Sequence, residues 1–214
     1  MSGYETLIAG LAIFIAIHLV SFTYNEREAL IAKLGATGHR ILHSVLSILG
    51  LYLIVTGFAA RPMEAGLIIP DWGLKAPLIG MPFVFILMAG FIFKGDFLRI
   101  TRHPMLLAVA LFSILHLLAN GDKGSVILFG SFLIWAVVSI PLCEAKFARM
   151  HPSEAETVFK TTSIIPFAAI ITKRAQPKNN DHAIVKSLVL GVALHFMIAF
   201  AHPYFTGIAV IPIS

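Results

Sequence analysis

The chain has 214 residues, of which 58% are hydrophobic and only 13% are charged, with a net charge of +5 and a mean hydropathy of +0.89. Soluble domains are about 45–50% apolar and about 25% charged, so this composition excludes a soluble fold and indicates an integral membrane protein. The single cysteine, Cys143, excludes an internal disulfide and any metal or iron–sulfur site built from several thiolates.

Six predominantly apolar stretches each approach the roughly 20 residues that a helix needs to cross a hydrocarbon core. They are Tyr4–Phe22, Arg40–Ala60, Ala76–Lys94, Pro104–Ala119, Ser125–Leu142 and Ile184–Pro203. The first has no basic region before it and no small-residue cleavage site after it, so we expect a span rather than a cleaved signal peptide. The predicted fold class is an all-α bundle of about six transmembrane helices, forming a single domain over residues 1–214.

Lysine and arginine are distributed unevenly between the two sides of this bundle. Of the 16 in the chain, only Arg61, Lys75 and Lys123 fall on one side, and the other 13 fall on the opposite side. Because basic residues are enriched in cytoplasmic loops, we predict that both termini face outward. The positive charge is explained by this asymmetry and does not indicate nucleic-acid binding. We expect a multi-pass protein of a bacterial inner membrane, with the lipid bilayer as its surroundings.

The segment 143–183 is the only substantial stretch outside the predicted spans. It becomes apolar at Ser163–Ile171, "SIIPFAAII", which is too short to cross a bilayer and contains a proline. We predict an interfacial or re-entrant piece tucked against the bundle. The residues after it, 173–182, are typical of a solvated turn.

Three of the nine histidines lie deep within predicted spans: His18 at roughly 9 Å from the cytoplasmic face, and His116 and His195 at roughly 16–18 Å. One such histidine is explained by a hydrogen bond to a neighbouring helix. Three deep histidines on three different spans instead favour one site that the three helices share. No Asp, Glu or Cys lies at that depth, so imidazoles in an apolar cavity suit a haem iron with two axial histidines better than a hydrolytic zinc site.

Other histidines and cations lie close to the predicted cytoplasmic surface. His39 and His43 have the i, i+4 spacing of a helical metal pair, but their place at a membrane surface favours ordinary interfacial histidines. Arg102 and His103 precede the proline that starts the fourth span and form a cluster of cationic donors. They are suited either to lipid headgroups or to an anionic group such as a haem propionate. Glu144 is a natural counter-charge for Arg102.

The histidines and the Arg-His-Pro sequence together form a pattern that resembles a known family. "IAIH" in the first span and "ITRHP…LHLLANGD" at Ile100–Asp122 are similar to the NnrU family of bacterial membrane proteins. That family is related to 15-cis-zeta-carotene isomerase, and "TTSIIPFAAII" at Thr161–Ile171 is similar to a segment of the isomerase. The resemblance covers most of the chain.

The resemblance implies a b-type haem whose axial ligands are His18 and His116. It also implies redox- or isomerase-like chemistry on a lipophilic substrate, with a link to bacterial nitrogen-oxide metabolism. His195 is the alternative ligand, because it lies almost level with His116 in the predicted bundle. Ser113 stands where the isomerase has a cysteine proposed as an exchangeable ligand, so a Cys/His exchange is not available there.

Two other classes of function stay open at this stage. The Arg-His-Pro start of a hairpin, with a glutamate after the next span, is similar to membrane methyltransferases of the isoprenylcysteine and phospholipid type. This resemblance implies that Arg102, His103 and Glu144 contact S-adenosylmethionine. Leu106 and Ala108 replace the tyrosine and glycine of that pattern. The third class is a non-catalytic haem sensor, haem carrier or respiratory assembly factor.

Overall fold

The computed structural model describes residues 2–175 and 182–207, and these ranges contain α-helices and no β-strand. The helices are α1 (Gly3–Phe22), α2 (Tyr24–Ala59), α3 (Ala76–Phe93), α4 (Pro104–Ala119), α5 (Lys123–Met150), α6 (Pro152–Thr161), α7 (Ala168–Ile171) and α8 (Ala183–Thr206). By length and composition, α1, α2, α3, α5 and α8 are able to cross a membrane, and α4 is a shorter apolar helix. The prediction of an all-α membrane bundle is confirmed.

The chain forms two compact units, which are described separately. Unit 1 combines Met1–Ile69 with Asn120–Ser153 and contains α1, α2 and α5. Unit 2 combines Pro70–Ala119 with Glu154–Ser214 and contains α3, α4, α7, α8 and most of α6. The expectation of a single domain stays a prediction, as does the outward orientation of both termini.

Unit 1 is built on a close approach between α1 and α2. A Cβ added at Gly57 would lie 2.3 Å from the backbone nitrogen of Leu7, so no other residue fits there without moving α1. Small residues that let backbones approach are the usual means of packing helices in lipid, where the hydrophobic effect does not drive association. This close contact fixes the faces that α1 and α2 present to α5.

Polar caps define the helix ends of unit 1. Ser2 and Glu5 form a capping box that satisfies the first amides of α1. Asp122 caps α5 by accepting from the Ser125 amide at 3.0 Å, and it also pairs with Arg61 at 3.0 Å. The carboxylate therefore connects the start of α5 to the residues that follow α2.

In unit 2, α3 packs against both α4 and α8. Val84, Ala108 and Leu115 form a buried cluster between α3 and α4. Gly191 of α8 lies so close to the Ile86 backbone that an added Cβ would be 2.6 Å from its Cα. These contacts set the positions of the histidines on α4 and α8.

The apolar segment Ser163–Ile171 packs against the residues just before α4. The Arg102 amide donates to the Ser163 carbonyl at 2.8 Å, and the Phe167 amide donates to the Ile100 carbonyl at 2.8 Å. The buried Thr101 hydroxyl donates to the Ile164 carbonyl at 2.9 Å. Only Ala168–Ile171 is helical. The segment is thus tied to unit 2 by its backbone, and residues 176–181 of the following predicted turn, including Lys178, lie outside the described residues.

Two helices extend well beyond the spans predicted within them. The second span was expected to begin at Arg40, but α2 begins at Tyr24 and includes a break at Gly35, where φ is 72°. The fifth span was expected to end at Leu142, but α5 continues to Met150 through Pro141. The hydropathy pattern detects only the part of a helix that is apolar enough for a bilayer, and a helix does not stop where its polar residues begin.

Candidate functional site

His18 lies near the end of α1, and its imidazole is held by the helix that carries it. The ring Nδ1 is 2.7 Å from the Phe14 carbonyl oxygen. A carbonyl oxygen only accepts hydrogen bonds, so Nδ1 is the protonated nitrogen, and in a neutral ring Nε2 carries the lone pair. The Phe14 ring stacks on the imidazole at a centroid distance of 4.1 Å. His18 is therefore oriented with Nε2 available as a ligand.

Two other rings of unit 1 contact His18 edge-on. The centroid of His43, on α2, is 4.8 Å away, and that of Trp135, on α5, is 5.5 Å away. His43 Nδ1 is 3.0 Å from Ser21 Oγ, which donates its only proton to the Ile17 carbonyl at 3.1 Å. Ser21 must therefore accept from His43, so His43 also carries its lone pair on Nε2. A second imidazole in the same protonation state thus lies beside the first.

Four buried polar atoms of unit 1 have no hydrogen-bond partner within the described residues. They are His39 Nε2, Ser47 Oγ, Trp135 Nε1 and Ser139 Oγ. Buried polar groups without a partner are costly and usually mark a bound water, ion or ligand. On α2 the residues His39, His43 and Ser47 are four apart and share one face. A polar face thus runs through the apolar interior of unit 1, next to His18.

Sequence reasoning missed this part of the site. His43 was interpreted as an interfacial histidine, and Trp135 was not singled out. The signal that was present is the run His39, His43, Ser47 at helical spacing, on the face that the glycines of α2 bring close to α1. The three residues share a face only if His39 lies inside the helix. The hydropathy pattern did not show this, because it placed the start of the span at Arg40 and not at Tyr24.

His116, in unit 2, repeats the local geometry of His18. Its Nδ1 is 2.8 Å from the Phe112 carbonyl oxygen, so the same argument places the lone pair on Nε2. The Phe112 ring is 4.1 Å from the imidazole, tilted by 41°. Both histidines belong to a Phe-x-x-x-His sequence, "FIAIH" on α1 and "FSILH" on α4. This repeated pattern was visible in the sequence.

His195, the alternative ligand, has a different environment in unit 2. It is 8% exposed, and its ring contacts are with Phe85 at 6.2 Å and Phe196 at 5.3 Å. Within residues 2–175 and 182–207 no hydrogen bond orients its ring. The ring is thus packed without being fixed in one tautomer, unlike those of His18 and His116.

Arg102 is largely engaged with the end of α6. Its Nη1 donates to Thr162 Oγ1 at 2.9 Å and lies 3.4 Å from the Thr162 carbonyl oxygen. The guanidinium also lies over the Phe159 ring at 4.7 Å. His103 precedes α4, and its amide approaches Thr101 Oγ1 at 3.4 Å. These contacts give Arg102 a structural role in unit 2, and its pairing with Glu144 of α5 stays a prediction.

The polar side chain three residues before His116 is satisfied by a bond within α4. Ser113 is fully buried and donates to the Val109 carbonyl at 2.8 Å. In the described part of the chain, no group of three or more His, Cys, Asp or Glu side chains is arranged to hold a metal ion. The geometry offers oriented imidazoles: His18 beside His43 in unit 1, and His116 in unit 2.

Comparison with curated proteins and with solved structures finds no match to this chain. The family model described as NnrU protein matches residues 6–210, which include most of α1, all of α2–α8, and the sequences "FIAIH" and "FSILH". The match thus extends over nearly the whole chain. The chain therefore belongs to the NnrU family.

Proposed function

We propose that this membrane protein binds haem b, with His18 and His116 supplying the axial imidazole ligands. The observation that carries the proposal is the bond from Nδ1 to the carbonyl oxygen four residues earlier, at 2.7 Å for His18 and 2.8 Å for His116. Histidines that bind metals almost always donate their other ring nitrogen in this way, which fixes the tautomer and raises the basicity of the free nitrogen.

The residues around these histidines fit such a cofactor. Phe14 and Phe112 pack on the two imidazoles and limit their rotation. In unit 1 the unpartnered Trp135 Nε1 and His39 Nε2 are donors or acceptors without a protein partner among the described residues. Polar atoms of this kind are expected where a polar edge of a bound group or an ordered water lies.

Arg102 and His103 are included in the proposal as donors to an anionic group of the cofactor at the cytoplasmic rim. Both residues directly precede α4, and their N–H groups are the kind of donor that suits a carboxylate. His195 is the less suitable ligand, since no hydrogen bond within the described ranges fixes its tautomer.

When bound, a haem of this type supplies one-electron redox chemistry. The contribution of the chain is to orient each imidazole, through its Nδ1 bond and the phenylalanine packed on its ring. Redox- or isomerase-like chemistry on a lipophilic substrate, a bacterial inner-membrane location and a link to nitrogen-oxide metabolism belong to this proposal through the family resemblance. Ser113 favours redox chemistry over an isomerase that exchanges a cysteine ligand.

The test is an absorption spectrum of the full chain, purified in detergent from cells supplied with a haem precursor, before and after dithionite reduction. We expect a six-coordinate b-type spectrum in the wild type, and loss of bound haem or of six-coordination in His18→Ala and His116→Ala. The control His195→Ala, a buried histidine without the carbonyl bond, should retain the wild-type spectrum. Melting temperatures of all variants show whether each is folded.

A wild type without pigment, or a spectrum unchanged in both ligand variants, would overturn the proposal. In the first case, titration with S-adenosylmethionine tests the methyltransferase alternative, in which Glu144→Gln abolishes binding. Co-purification with a partner and no turnover, with haem present, would indicate the sensor or assembly-factor alternative.

A further inference from the structure

A basic cavity lies in unit 1 where α1 ends and α2 begins. It has a volume of about 210 Å³ and is lined by Phe22, the turn Thr23–Glu26 and the last turns of α5 from Leu142 to Arg149. Two cations of α5, Lys146 and Arg149, line it. This part of unit 1 corresponds to the side of the membrane on which the sequence predicts most of the basic residues.

The two cations are positioned by uncharged groups. Lys146 Nζ donates to the Ser21 carbonyl oxygen at 2.6 Å, and the Arg149 guanidinium lies over the Tyr24 ring at 4.6 Å. In the described part of the chain no carboxylate lies within ion-pair distance of either side chain. An ammonium has three N–H donors and a guanidinium five, so both retain donors for another group.

The cations at the opposite end of unit 1 differ in this respect. Arg61 pairs with Asp122 at 3.0 Å and Lys123 pairs with Glu64 at 2.9 Å. At the cavity end Arg27 pairs with Glu28, whereas Lys146 and Arg149 form no ion pair among the described residues. The basic cavity therefore holds two cations that are outside any ion pair within the described ranges, and one carboxylate, Glu26, so a ligand with an anionic group is favoured there.

A second cavity lies between the same two helices, α1 and α5. It has a volume of about 230 Å³ and an almost wholly apolar lining that includes Ile15, Leu19, Ile134 and Val138. Ile134 is 66% exposed and Val138 46%. Ile134 and Lys146 are 12 residues apart on α5, about 18 Å along a helix. That is close to the thickness of one leaflet, since the whole hydrocarbon core is about 30 Å.

We propose that the groove between α1 and α5 is a binding site for one phospholipid molecule. The phosphate lies in the basic cavity against Lys146 and Arg149, and an acyl chain lies in the apolar cavity against Ile134 and Val138. Basic pockets between transmembrane helices are a known means of holding lipid headgroups. Trp135 lines the apolar cavity and also contacts His18, but the lipid proposal does not rest on haem binding.

The carboxylate in the basic cavity specifies the headgroup further. Glu26 lies in the first turn of α2 and lines the cavity together with the two cations. A headgroup that carries a primary amine beside its phosphate matches this arrangement of one anion and two cations. The expected ligand is therefore phosphatidylethanolamine, in preference to phosphatidylglycerol, whose headgroup has no amine.

The experiment measures lipid binding to the purified, delipidated full chain by native mass spectrometry in mixed micelles. Phosphatidylethanolamine and phosphatidylglycerol with identical acyl chains are added separately. Loss of one cation near a phosphate lowers affinity about fivefold, so the double change Lys146→Met and Arg149→Gln should lower it more than tenfold. Arg149 is exposed, so the single variant Arg149→Gln should fold and provides the test if the double variant does not fold.

Two controls separate this site from general attraction to a basic surface. Lys33→Met removes an exposed cation of the same unit and should change affinity less than twofold. Glu26→Gln should remove the preference for phosphatidylethanolamine over phosphatidylglycerol.

Equal lipid binding by wild type and Arg149→Gln would overturn the proposal. Complete displacement of the lipid by millimolar inorganic phosphate would also overturn it, because the cavity would then bind a free anion and the acyl chain would contribute nothing.

Discussion

The two units carry the same histidine geometry in different surroundings. His18 in unit 1 and His116 in unit 2 each donate from Nδ1 to a carbonyl of their own helix and pack against the ring of a phenylalanine four residues earlier. His18, however, lies beside His43 and Trp135, in a unit where four buried polar atoms have no partner among the described residues. In unit 2 Arg99 Nε is the one such atom among the described residues, and the buried Thr101 and Arg102 donate to carbonyls and a hydroxyl of the same unit.

The difference between the two units distinguishes interactions that form within one helix from interactions that depend on the packing of neighbouring helices. The i−4 carbonyl bond needs only an α-helix and a histidine, so the Phe-x-x-x-His sequence suffices to produce it. Whether the polar groups around it are satisfied depends on helix packing, and unit 1 leaves several of them for another group to satisfy. The following predictions test this contrast.

Gly57→Ala should have the largest effect, because it acts on the α1–α2 contact that holds the polar face of unit 1 together. The added Cβ would lie 2.3 Å from Leu7 N. Overpacking of this kind costs about 1–3 kcal/mol or more. Gly130→Ala on α5 is the matched control, since an added Cβ there meets nothing within 4 Å. Thermal unfolding in detergent compares the two, and equal melting temperatures would contradict the packing described.

Thr101→Val tests the satisfied hydrogen bonds of unit 2. The hydroxyl is fully buried and donates to the Ile164 carbonyl at 2.9 Å. Removing it leaves that carbonyl without its donor, which costs about 1–3 kcal/mol. The expected result is a lower melting temperature together with faster amide hydrogen exchange at Phe167. Unchanged exchange in residues 163–171 would show that this bond does not hold the segment.

Acid should weaken unit 1 through Asp122. Burial raises the pKa of this carboxyl, but hydrogen bonds from Ser125 and the nearby Arg61 outweigh it and hold the pKa below its ordinary value of 3.8. The stabilisation is therefore complete above about pH 4 and is lost as the pH falls through the lowered pKa. Melting temperatures between pH 6 and pH 2 should fall less steeply for Asp122→Asn than for the wild type. Glu64→Gln, at an exposed pair, should change stability by less than about 0.5 kcal/mol.

Ser139→Ala should have the smallest effect of the series. This side chain is as buried as Thr101, but its hydroxyl has no partner among the described residues. Losing it removes a desolvated group and breaks no protein hydrogen bond, so the free energy of unfolding should change by less than about 0.5 kcal/mol. A loss of more than about 1 kcal/mol would show that a water or ligand is bound there.

The sequence predicted the apolar helices well because hydropathy responds directly to the bilayer. Pro104 marked the start of α4 correctly, since proline is favoured at the first helical position. The extensions of α2 to Tyr24 and of α5 to Met150 were missed, because these residues are too polar to be recognised as a span.

The candidate site was predictable in part. His18 and His116 were found by their depth in the spans, but the Phe-x-x-x-His repeat that relates them was overlooked. The contact of His43 and Trp135 with His18 depends on how three helices pack. Periodicity shows which residues share a face of one helix, whereas their neighbours on other helices depend on close contacts such as that of Gly57 with Leu7.

The central claim is that the two oriented imidazoles are iron ligands, and ligand rescue tests it most directly. In His18→Gly and His116→Gly, free imidazole added to the haem-loaded protein should restore the low-spin, six-coordinate spectrum of the wild type, while His195→Gly should need no rescue. If both glycine variants keep the wild-type spectrum without imidazole, or if imidazole restores neither, the carbonyl-anchored histidines are not the ligands and the account is contradicted.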